Sequence, residues 1–259
     1  MPTIAGAHNE RLRELRALRD RKGRRRAGRY LIEGPTLLAE ALESRAAIET
    51  LVMTQAAYDA HRDLADRAEA GGAAVYLAEE RVLAGIAETV TPQGIVASTP
   101  ERGATFAQVL DNGGLTLVLA GVGDPGNAGT LLRSAEAFGA GGVCFVDGAV
   151  DPFAPKVVRA AMGAHFRLAV ARGEGEELAR LAREHRRPIV VADLRGEPSH
   201  RFAFPHDMLL VIGHERRGPA AWLERADARV GIPQKGRAES LNAAMAGSIL
   251  LYEAAGKRE

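Results

Sequence analysis

Short apolar runs alternate with helical segments from residue 115 to the end of the chain, and this alternation constrains the fold more than any other feature. The runs that read as strands are 115–120, 143–146, 167–169, 189–192, 208–212 and 229–232. Helices are expected between most of these runs and at the C-terminus. Buried-type strands that alternate with helices indicate a parallel α/β sheet.

The residues before position 100 predict a second, smaller α/β unit. Its expected strands are 30–34, 48–53, 75–77 and 95–98, and Lys22 to Arg26 reads as a basic turn around Gly23. Leu12, Leu15 and Leu18 recur every third residue and predict a helix before that turn. We therefore divide the chain into a basic arm or helix (1–28), the smaller unit (29–99), a Gly- and Pro-containing linker (100–113) and the larger domain (114–259).

Composition is that of a globular protein, with 46% hydrophobic and 26% charged residues. No apolar run approaches the roughly 20 residues of a membrane span, and the N-terminus lacks the apolar core of a signal peptide. Cys144 is the one cysteine, which excludes an internal disulfide and a cysteine-based metal site. We expect a cytoplasmic protein that binds no metal and no membrane.

Positive charge is concentrated at the N-terminal end. The whole chain has a net charge of +1, yet residues 1–30 hold ten Arg or Lys against three acids. A solvated basic segment without a partner would have the same composition, but arginine suits contacts to nucleic-acid phosphates. The candidate phosphate contacts are Arg11, Arg24, Arg25, Arg26 and Arg29.

The loop after the strand 115–120 matches a dinucleotide-binding pattern. Gly121-Val-Gly-Asp-Pro-Gly126 is a Gly-x-Gly-x-x-Gly between a strand and a helix, and Asp147 ends the next strand. Pro125, however, lacks an N–H that would help to bind a pyrophosphate. The last glycine is also expected before the helix rather than inside it. A nicotinamide oxidoreductase is therefore only our third hypothesis.

Polar residues occupy three loops that each follow a strand. The first carries Asn127, expected as a helix N-cap, and Arg133, whose side chain is long enough to reach back toward the loop. The second, 213–218, carries Glu215 between two glycines. Sites of α/β proteins lie in such loops, although a capped helix with solvated charges has the same pattern.

The third loop, after the strand 229–232, combines a Pro/Gly turn with the start of a helix. That helix is expected to open at Glu239-Ser240, and either Ser240 or Asn242 could cap it. Small residues fill the helix and would let another backbone approach closely. In the second loop, His214 has no supporting pattern, and we expect it to be incidental.

Taken together and in this order, the three loops resemble the SpoU/TrmH branch of the SPOUT RNA methyltransferases. The family pattern is Asn-x-Gly-x-x-x-Arg, then Gly-x-Glu-x-x-Gly, then Ile-Pro-x-x-Gly followed by Ser-Leu-Asn. It is matched by Asn127/Gly129/Arg133, by Gly213/Glu215/Gly218 and by Ile232/Pro233/Gly236/Ser240/Leu241/Asn242. Residues 29–99 are similar to the L30e-like substrate-binding domain of the family's ribosomal RNA members. One departure is Ala243-Ala244, where the family commonly has Val-Ser, so position 244 is given no role.

The resemblance implies an activity and a fold. The activity is S-adenosylmethionine-dependent methylation of a ribose 2′-hydroxyl, with ribosomal (23S) RNA as the expected substrate. Transfer RNA is an alternative substrate, and a catalytically inert RNA-binding protein is the alternative function. The implied fold is α/β: a C-terminal parallel-sheet SPOUT domain with a deep trefoil knot, which forms a homodimer, plus the small L30e-like domain.

The resemblance also implies residue roles. The expected catalytic residues are Asn127, Arg133, Glu215, Ser240 and Asn242. The expected cofactor contacts are Ala192, Gly213, Gly218, Ile232, Pro233 and Leu241, and Arg159 joins the expected RNA contacts. Arginine is a poor base because its pKa exceeds roughly 12, so Arg133 is expected to bind the target phosphate and to orient or polarise the hydroxyl.

Overall fold

The computed structural model describes residues 3–4, 6, 9–237 and 240–257, which form two units. The N-terminal unit comprises Met1–Arg102 and Phe153–Phe166, and the C-terminal unit comprises Gly103–Pro152 and Arg167–Glu259. No helix in these described ranges is long and apolar enough to cross a bilayer.

The strands and helices follow the predicted order with several shifted bounds. The described strands are β1 (Thr3–Ile4), β2 (Arg29–Glu33), β3 (Thr50–Met53), β4 (Ala74–Leu77), β5 (Ile95–Pro100), β6 (Gly103–Ala104), β7 (Leu115–Ala120), β8 (Gly142–Val146), β9 (Ala169–Gly173), β10 (Ile189–Pro198), β11 (Met208–Gly213) and β12 (Ala228–Gly231). The described α-helices are α1 (Glu10–Ala17), α2 (Arg21–Ala27), α3 (Pro35–Glu43), α4 (Gln55–Ala60), α5 (Arg62–Ala70), α6 (Glu80–Ala84), α7 (Phe106–Asp111), α8 (Pro125–Ala137), α9 (Pro155–Ala161), α10 (Gly175–Glu184) and α11 (Ala243–Gly256).

The N-terminal unit is built on a five-stranded sheet in the order β1-β4-β3-β5-β2. Strand β5 is antiparallel to β2 and β3, whereas β4 is parallel to β1 and β3. Leu12, Leu15 and Leu18 are buried in one cluster with Leu31 and Val52, which confirms the predicted apolar face of the first helix. The residues expected to form a separate arm therefore contribute to the core of this unit.

The expected basic turn at residues 22–26 is instead the helix α2. An added Cβ on Gly23 would lie 1.8 Å from the carbonyl oxygen of Ala17, so glycine is what lets this helix approach the end of α1. The guanidinium of Arg24 donates to the carbonyls of Leu18 and Arg19, at 3.0 and 2.7 Å. Arg24 is only 3% exposed. The expectation that it contacts RNA is therefore wrong, because its side chain is buried in holding two helices together.

The C-terminal unit has a seven-stranded sheet in the order β12-β10-β11-β7-β8-β9-β6, in which every pair of neighbours is parallel. Its central strands β7, β8 and β11 are buried almost throughout, as parallel strands covered on both faces are. This confirms the predicted parallel α/β sheet. The carboxyl ends of parallel strands lie at the same edge of a sheet, so the loops after β7, β11 and β12 lie on one side of this unit.

Residues 100–113, expected to be a linker, contain β6 and α7. Thr105 and Gln108 form a reciprocal capping box at the start of α7, and Phe106, Val109 and Leu110 are buried in the core. In the same core, burial raises the pKa of the Cys144 thiol. Cys144 is therefore inert, as expected.

The helices α8 and α11 pack closely, as the small residues of the final helix predict. An added Cβ on Gly247 would lie 2.3 Å from Cδ2 of Leu131. The hydroxyl oxygens of Ser134 and Ser248 are 2.7 Å apart. Helix α11 begins at Ala243, later than expected; Glu239, expected to open it, lies outside the described residues. The trefoil knot stays a prediction.

Candidate active site

The first loop enters α8 through Asp124 rather than Asn127. The Asp124 carboxylate accepts the backbone N–H of Asn127 at 2.8 Å, and Pro125 occupies the first helical position. Proline is well suited to that position because its fixed φ fits the helix and no N–H is needed there. The expectation of Asn127 as N-cap is therefore wrong, and so is that of Gly126 before the helix. With the cap supplied by Asp124, the Asn127 side chain is available for other contacts.

Glu215 of the second loop binds the first loop. Its carboxylate accepts hydrogen bonds from the backbone N–H groups of Gly123 and Asp124, at 3.4 and 3.2 Å. It also accepts the side-chain Nδ2–H of Asn127 at 3.1 Å. One carboxylate thus fixes both the backbone and a side chain of the neighbouring loop.

Asn242 of the third loop completes this arrangement. It is the N-cap of α11, where its Oδ1 accepts the backbone N–H groups of Ala244 and Met245 at 2.9 and 3.2 Å. Its Nδ2 donates to Oδ1 of Asn127 at 2.9 Å. Of the two predicted caps, Asn242 is the one confirmed. The hydrogen-bonded chain Asn242–Asn127–Glu215, called the amide bridge below, therefore joins all three predicted loops.

The charge of Glu215 follows from these bonds. Burial acts to raise its pKa, but hydrogen bonds from its own backbone, the Asn127 side chain and the backbone of Asp124 and Gly123 outweigh burial, so the pKa is lowered. Hydrogen bonds to a carboxylate favour its ionised form. Glu215 is therefore an ionised acceptor at neutral pH.

A cavity of about 410 Å³ lies beside the amide bridge. The predicted site residues on its wall are Ala192, Gly213, Glu215, Gly218, Ile232, Ser240 and Leu241. Pro233, also an expected cofactor contact, lines a neighbouring cavity of about 370 Å³ that shares Leu194, Gly231, Ile232 and Gln234 with the first.

Close contacts between backbones shape this wall. An added Cβ on Gly213 would lie 2.3 Å from the backbone nitrogen of Pro219, and one on Gly231 would lie 2.7 Å from the carbonyl of Asp193. Glycine at both positions is therefore required for the loops to approach each other. Ala243 and Ala246 line the cavity, whereas Ala244 is buried and accepts the Ser248 hydroxyl through its carbonyl.

Arg133 extends from the third turn of α8 and is exposed. Within the described chain, its guanidinium makes neither a hydrogen bond nor an ion pair, so it is available to a ligand. Arg159 differs, because it lies 3.6 Å from the buried Glu33 carboxylate and 3.9 Å from Glu88, within the N-terminal unit. Its charge is already compensated there.

The remaining expected RNA contacts differ in availability. Arg29 forms an ion pair with Glu49 at 2.9 Å, and Arg11 pairs with Glu14 at 3.1 Å. The exposed side chains of α2 are Arg21, Lys22, Arg25 and Arg26. These four belong to one face of the helix, since residues four apart are neighbours on a helix. We call them the α2 basic face.

His214, expected from the sequence to be incidental, lies between two cavities. Its side chain lines the cavity of about 410 Å³ and also a second one of about 430 Å³ on the other side of its loop. Its Nδ1 accepts the backbone N–H of Arg216 at 3.0 Å. Trp222, to which the sequence assigns no role, is buried and donates from Nε1 to the Asp147 carboxylate at 2.7 Å. Trp222 belongs to no motif and His214 occupies a variable position of the second motif, so no spacing pattern reveals a role for either residue.

Comparison with known families identifies the chain. Residues 114–252 match the model of the SpoU rRNA methylase family. The chain belongs to this family. Residues 9–97 match the MRM3-like substrate binding domain. The first match confirms the resemblance drawn from the three loops. The second confirms that this SpoU methylase has the expected N-terminal substrate-binding domain.

Relatives of this SpoU methylase share its full length. It is 33% identical to the 23S rRNA (guanosine(2553)-2′-O)-methyltransferase RlmP of Bacillus subtilis, over 99% of this chain and 100% of that protein. The crystal structure of an AdoMet-bound rRNA methyltransferase from Sinorhizobium meliloti has a TM-score of 0.86 and 32% identity, covering 97% and 96% of the two chains. AviRb from Streptomyces viridochromogenes, in complex with AdoMet, has a TM-score of 0.84 and 29% identity, covering 97% and 98%.

Proposed function

We propose that this protein transfers a methyl group from S-adenosylmethionine to a ribose 2′-hydroxyl of 23S ribosomal RNA. The observation that carries the proposal is the amide bridge, which joins the three family motifs beside one cavity. A relative that shares the full length of this chain is named as a 23S rRNA (guanosine(2553)-2′-O)-methyltransferase, and structural neighbours contain AdoMet.

The cavity fits a nucleoside-type cofactor. Its volume of about 410 Å³ is within the range of roughly 300–1,000 Å³ typical of small-molecule sites. Ile212, Leu241 and Leu250 offer an apolar surface for an adenine ring, and backbone beside Gly213 and Gly231 offers polar contacts. When bound, S-adenosylmethionine supplies a methyl group on a positively charged sulfur. The cavity residues would hold it, because small side chains leave the backbone accessible.

Arg133 is the residue we assign to the RNA. The reaction needs a nucleophilic oxygen held in line with the methyl carbon, so positioning should supply much of the rate. The ribose hydroxyl must lose its proton as the new bond forms, and a guanidinium with a pKa above roughly 12 does not serve as an ordinary base. We assign Arg133 to binding the target phosphate and orienting the hydroxyl. Asn127, held from both sides, would define the adjoining wall.

The test is transfer of labelled methyl from S-adenosylmethionine to RNA from cells that lack the gene. We expect incorporation into the 23S fraction and none into transfer RNA. Incorporation into transfer RNA alone would support the alternative substrate, and the absence of any incorporation with folded protein would remove the enzymatic proposal. Calorimetry with S-adenosylmethionine separates the enzyme from an inert RNA-binding protein, which would bind RNA but not the cofactor. An NADH titration tests the oxidoreductase.

The N-terminal unit is proposed to hold the RNA, with the α2 basic face as its main phosphate contact. Exposed guanidinium and ammonium groups bind phosphates through charge and hydrogen bonds. Arg11 and Arg29 would contribute less, because each already pairs with a glutamate. We propose a cytoplasmic location, which a ribosomal RNA substrate in a bacterial cell would require.

A homodimer through the C-terminal unit is proposed from the surface of α11. Met245 and Tyr252 are seven residues apart and therefore lie on one face, and they are 57% and 64% exposed. The ring of Phe138 packs against Tyr252 at 5.7 Å and extends this apolar surface. Sedimentation velocity should give a dimer for the wild type and a monomer for Met245→Arg. A monomeric wild type at micromolar concentration would refute it.

A further inference from the structure

His214 closes a turn within the second loop. Its ring nitrogen Nδ1 accepts the backbone N–H of Arg216 at 3.0 Å, two residues further along the chain. Its carbonyl accepts the backbone N–H of Gly218 at 2.8 Å. The first of these bonds is the one that an Asn or Asp side chain makes in an Asx turn. The loop is thus held at His214 by both a side chain and a carbonyl.

This bond determines which ring nitrogen carries the proton. A nitrogen that accepts a hydrogen bond has no proton, so the neutral ring of His214 carries its proton on Nε2. The acceptor Nδ1 is 3.6 Å from a carboxylate oxygen of Glu215. The Nδ1 edge of the His214 ring therefore faces residues of its own loop.

The turn bears directly on Glu215, which lies between His214 and Arg216. The Glu215 carboxylate holds Gly123, Asp124 and Asn127 of the first loop. A change in the turn would rotate the Glu215 backbone and move its carboxylate away from these donors. The conformation of the second loop and the placement of Asn127 are thus coupled.

We propose that His214 is a positioning residue whose Nδ1 holds the turn that directs Glu215 at the first loop and so fixes Asn127. This rests on the proposed function and extends it, since it makes the histidine at the variable position of the second motif necessary for the geometry of the amide bridge. It does not require that His214 touch the RNA or the cofactor.

Two substitutions separate this role from simple packing. Asn places Oδ1 on Cγ, the atom that carries Nδ1 in histidine, so His214→Asn preserves the acceptor for Arg216. Gln places its amide oxygen one bond further out, near the position of Nε2, so His214→Gln fills more of the ring volume but loses the acceptor at the right distance. A packing role would favour Gln, whereas the proposed role favours Asn.

The experiment measures amide hydrogen exchange by NMR in the full-length wild type and both variants. We expect the Arg216 and Asp124 amides to exchange at wild-type rates in His214→Asn and roughly tenfold faster in His214→Gln, because a lost hydrogen bond removes about that much protection. Equal exchange in the two variants, or faster exchange in the Asn variant, overturns the proposal. So does a ¹⁵N spectrum of the wild type that shows a protonated Nδ1 at pH 7.5.

Methyl transfer is the second measurement. We expect His214→Asn to keep kcat within about threefold of the wild type, and His214→Gln to lose roughly tenfold in kcat with a smaller change in KM for the cofactor. Equal kcat in the two variants contradicts the role in positioning. If the exchange rates separate as expected while the wild type transfers no methyl, the loop role stands and the proposed function fails.

Discussion

The side chain of Asn242 donates a hydrogen bond of 2.9 Å to the side-chain oxygen of Asn127, which lies 115 residues earlier in the chain. Asn127 in turn donates a hydrogen bond from its Nδ2 to the Glu215 carboxylate at 3.1 Å. The central position needs one acceptor and one donor on the same short side chain, and a carboxamide provides both. The three loops are therefore joined by direct side-chain hydrogen bonds and do not merely lie close together.

Replacing Asn127 with Asp tests this requirement. Asp accepts from Asn242 as before but faces the Glu215 carboxylate with a second negative charge, and like charges in contact repel. We expect Asn127→Asp to lower kcat/KM for methyl transfer by roughly 10- to 100-fold, the equivalent of about 1.4–2.7 kcal/mol. The assay is steady-state transfer to 23S RNA fragments.

The matched control is Asn112→Asp, the same chemical change in the same unit. Asn112 donates to the carbonyl of Gly141 at an exposed position outside the amide bridge. We expect this variant to retain transfer within about twofold. Comparable losses in both variants would mean that the effect comes from general destabilisation and not from the bridge.

The Glu215 carboxylate should make the free energy of unfolding depend on pH. Because its pKa is lower in the folded protein, it contributes stability above its unfolded value of about 4.3 and loses that contribution as the pH falls through the folded value. Glu215→Gln lacks this contribution at every pH. We expect urea unfolding, followed by fluorescence of Trp222, to show the largest gap between wild type and variant at pH 7. The gap should narrow below about pH 4.3; a gap that stays constant would show that ionisation is not involved.

The three loops of the site were predictable because polar residues that follow parallel strands lie at one edge of a sheet. How they join was not predictable. Asp124 and Asn127 are both good caps, and only the structure shows that Asp124 takes that role and leaves Asn127 to the bridge. Hydrogen bonds between residues some 90 to 115 positions apart leave no local pattern.

The missed parts of the fold have physical reasons too. Gly23 is a poor helix former and so predicts a turn, yet the close approach of the Ala17 carbonyl requires glycine within helix α2. Helix α9, expected from the sequence, belongs to the N-terminal unit although it lies some fifty residues beyond that unit's last strand. Such a grouping depends on tertiary packing and cannot be inferred from the order of elements.

Substitution of Arg133 should leave the affinity for the cofactor unchanged and reduce the rate of methyl transfer. Arg133→Ala removes an exposed cation that does not line the cavity, so calorimetry should show unchanged affinity for S-adenosylmethionine. Transfer should fall roughly 100-fold or more, as for loss of a group that acts at the reacting centre. Arg180→Ala, which removes an exposed arginine from α10, is the control and should retain activity. Substantial transfer by the Arg133 variant would remove this residue from the mechanism.

The α2 basic face should account for part of the salt dependence of RNA binding. Each phosphate contact adds roughly 0.7–0.9 to the slope of log affinity against log salt, so Arg25→Ala/Arg26→Ala should reduce the slope by about 1.4 to 1.8. The control is Arg62→Ala/Arg67→Ala, which removes the same charge from exposed positions on α5. Filter binding over a salt series distinguishes them. Equal losses of slope would assign the RNA contact to net charge rather than to α2.

Gly213 should be irreplaceable for a reason that is purely steric. An added Cβ would lie 2.3 Å from the nitrogen of Pro219 and 2.4 Å from the carbonyl carbon of Gly218, and backbone atoms cannot move without opening the loop. We expect Gly213→Ala to weaken S-adenosylmethionine binding by at least tenfold in calorimetry. The backbone segments at residue 213 and at residues 218–219, which form part of the cavity wall, would have to move apart. Gly236→Ala is the control: no heavy atom lies within 4 Å of its added Cβ, so its affinity should match the wild type. If both variants bind the cofactor equally, the close approach at Gly213 does not shape the cofactor site.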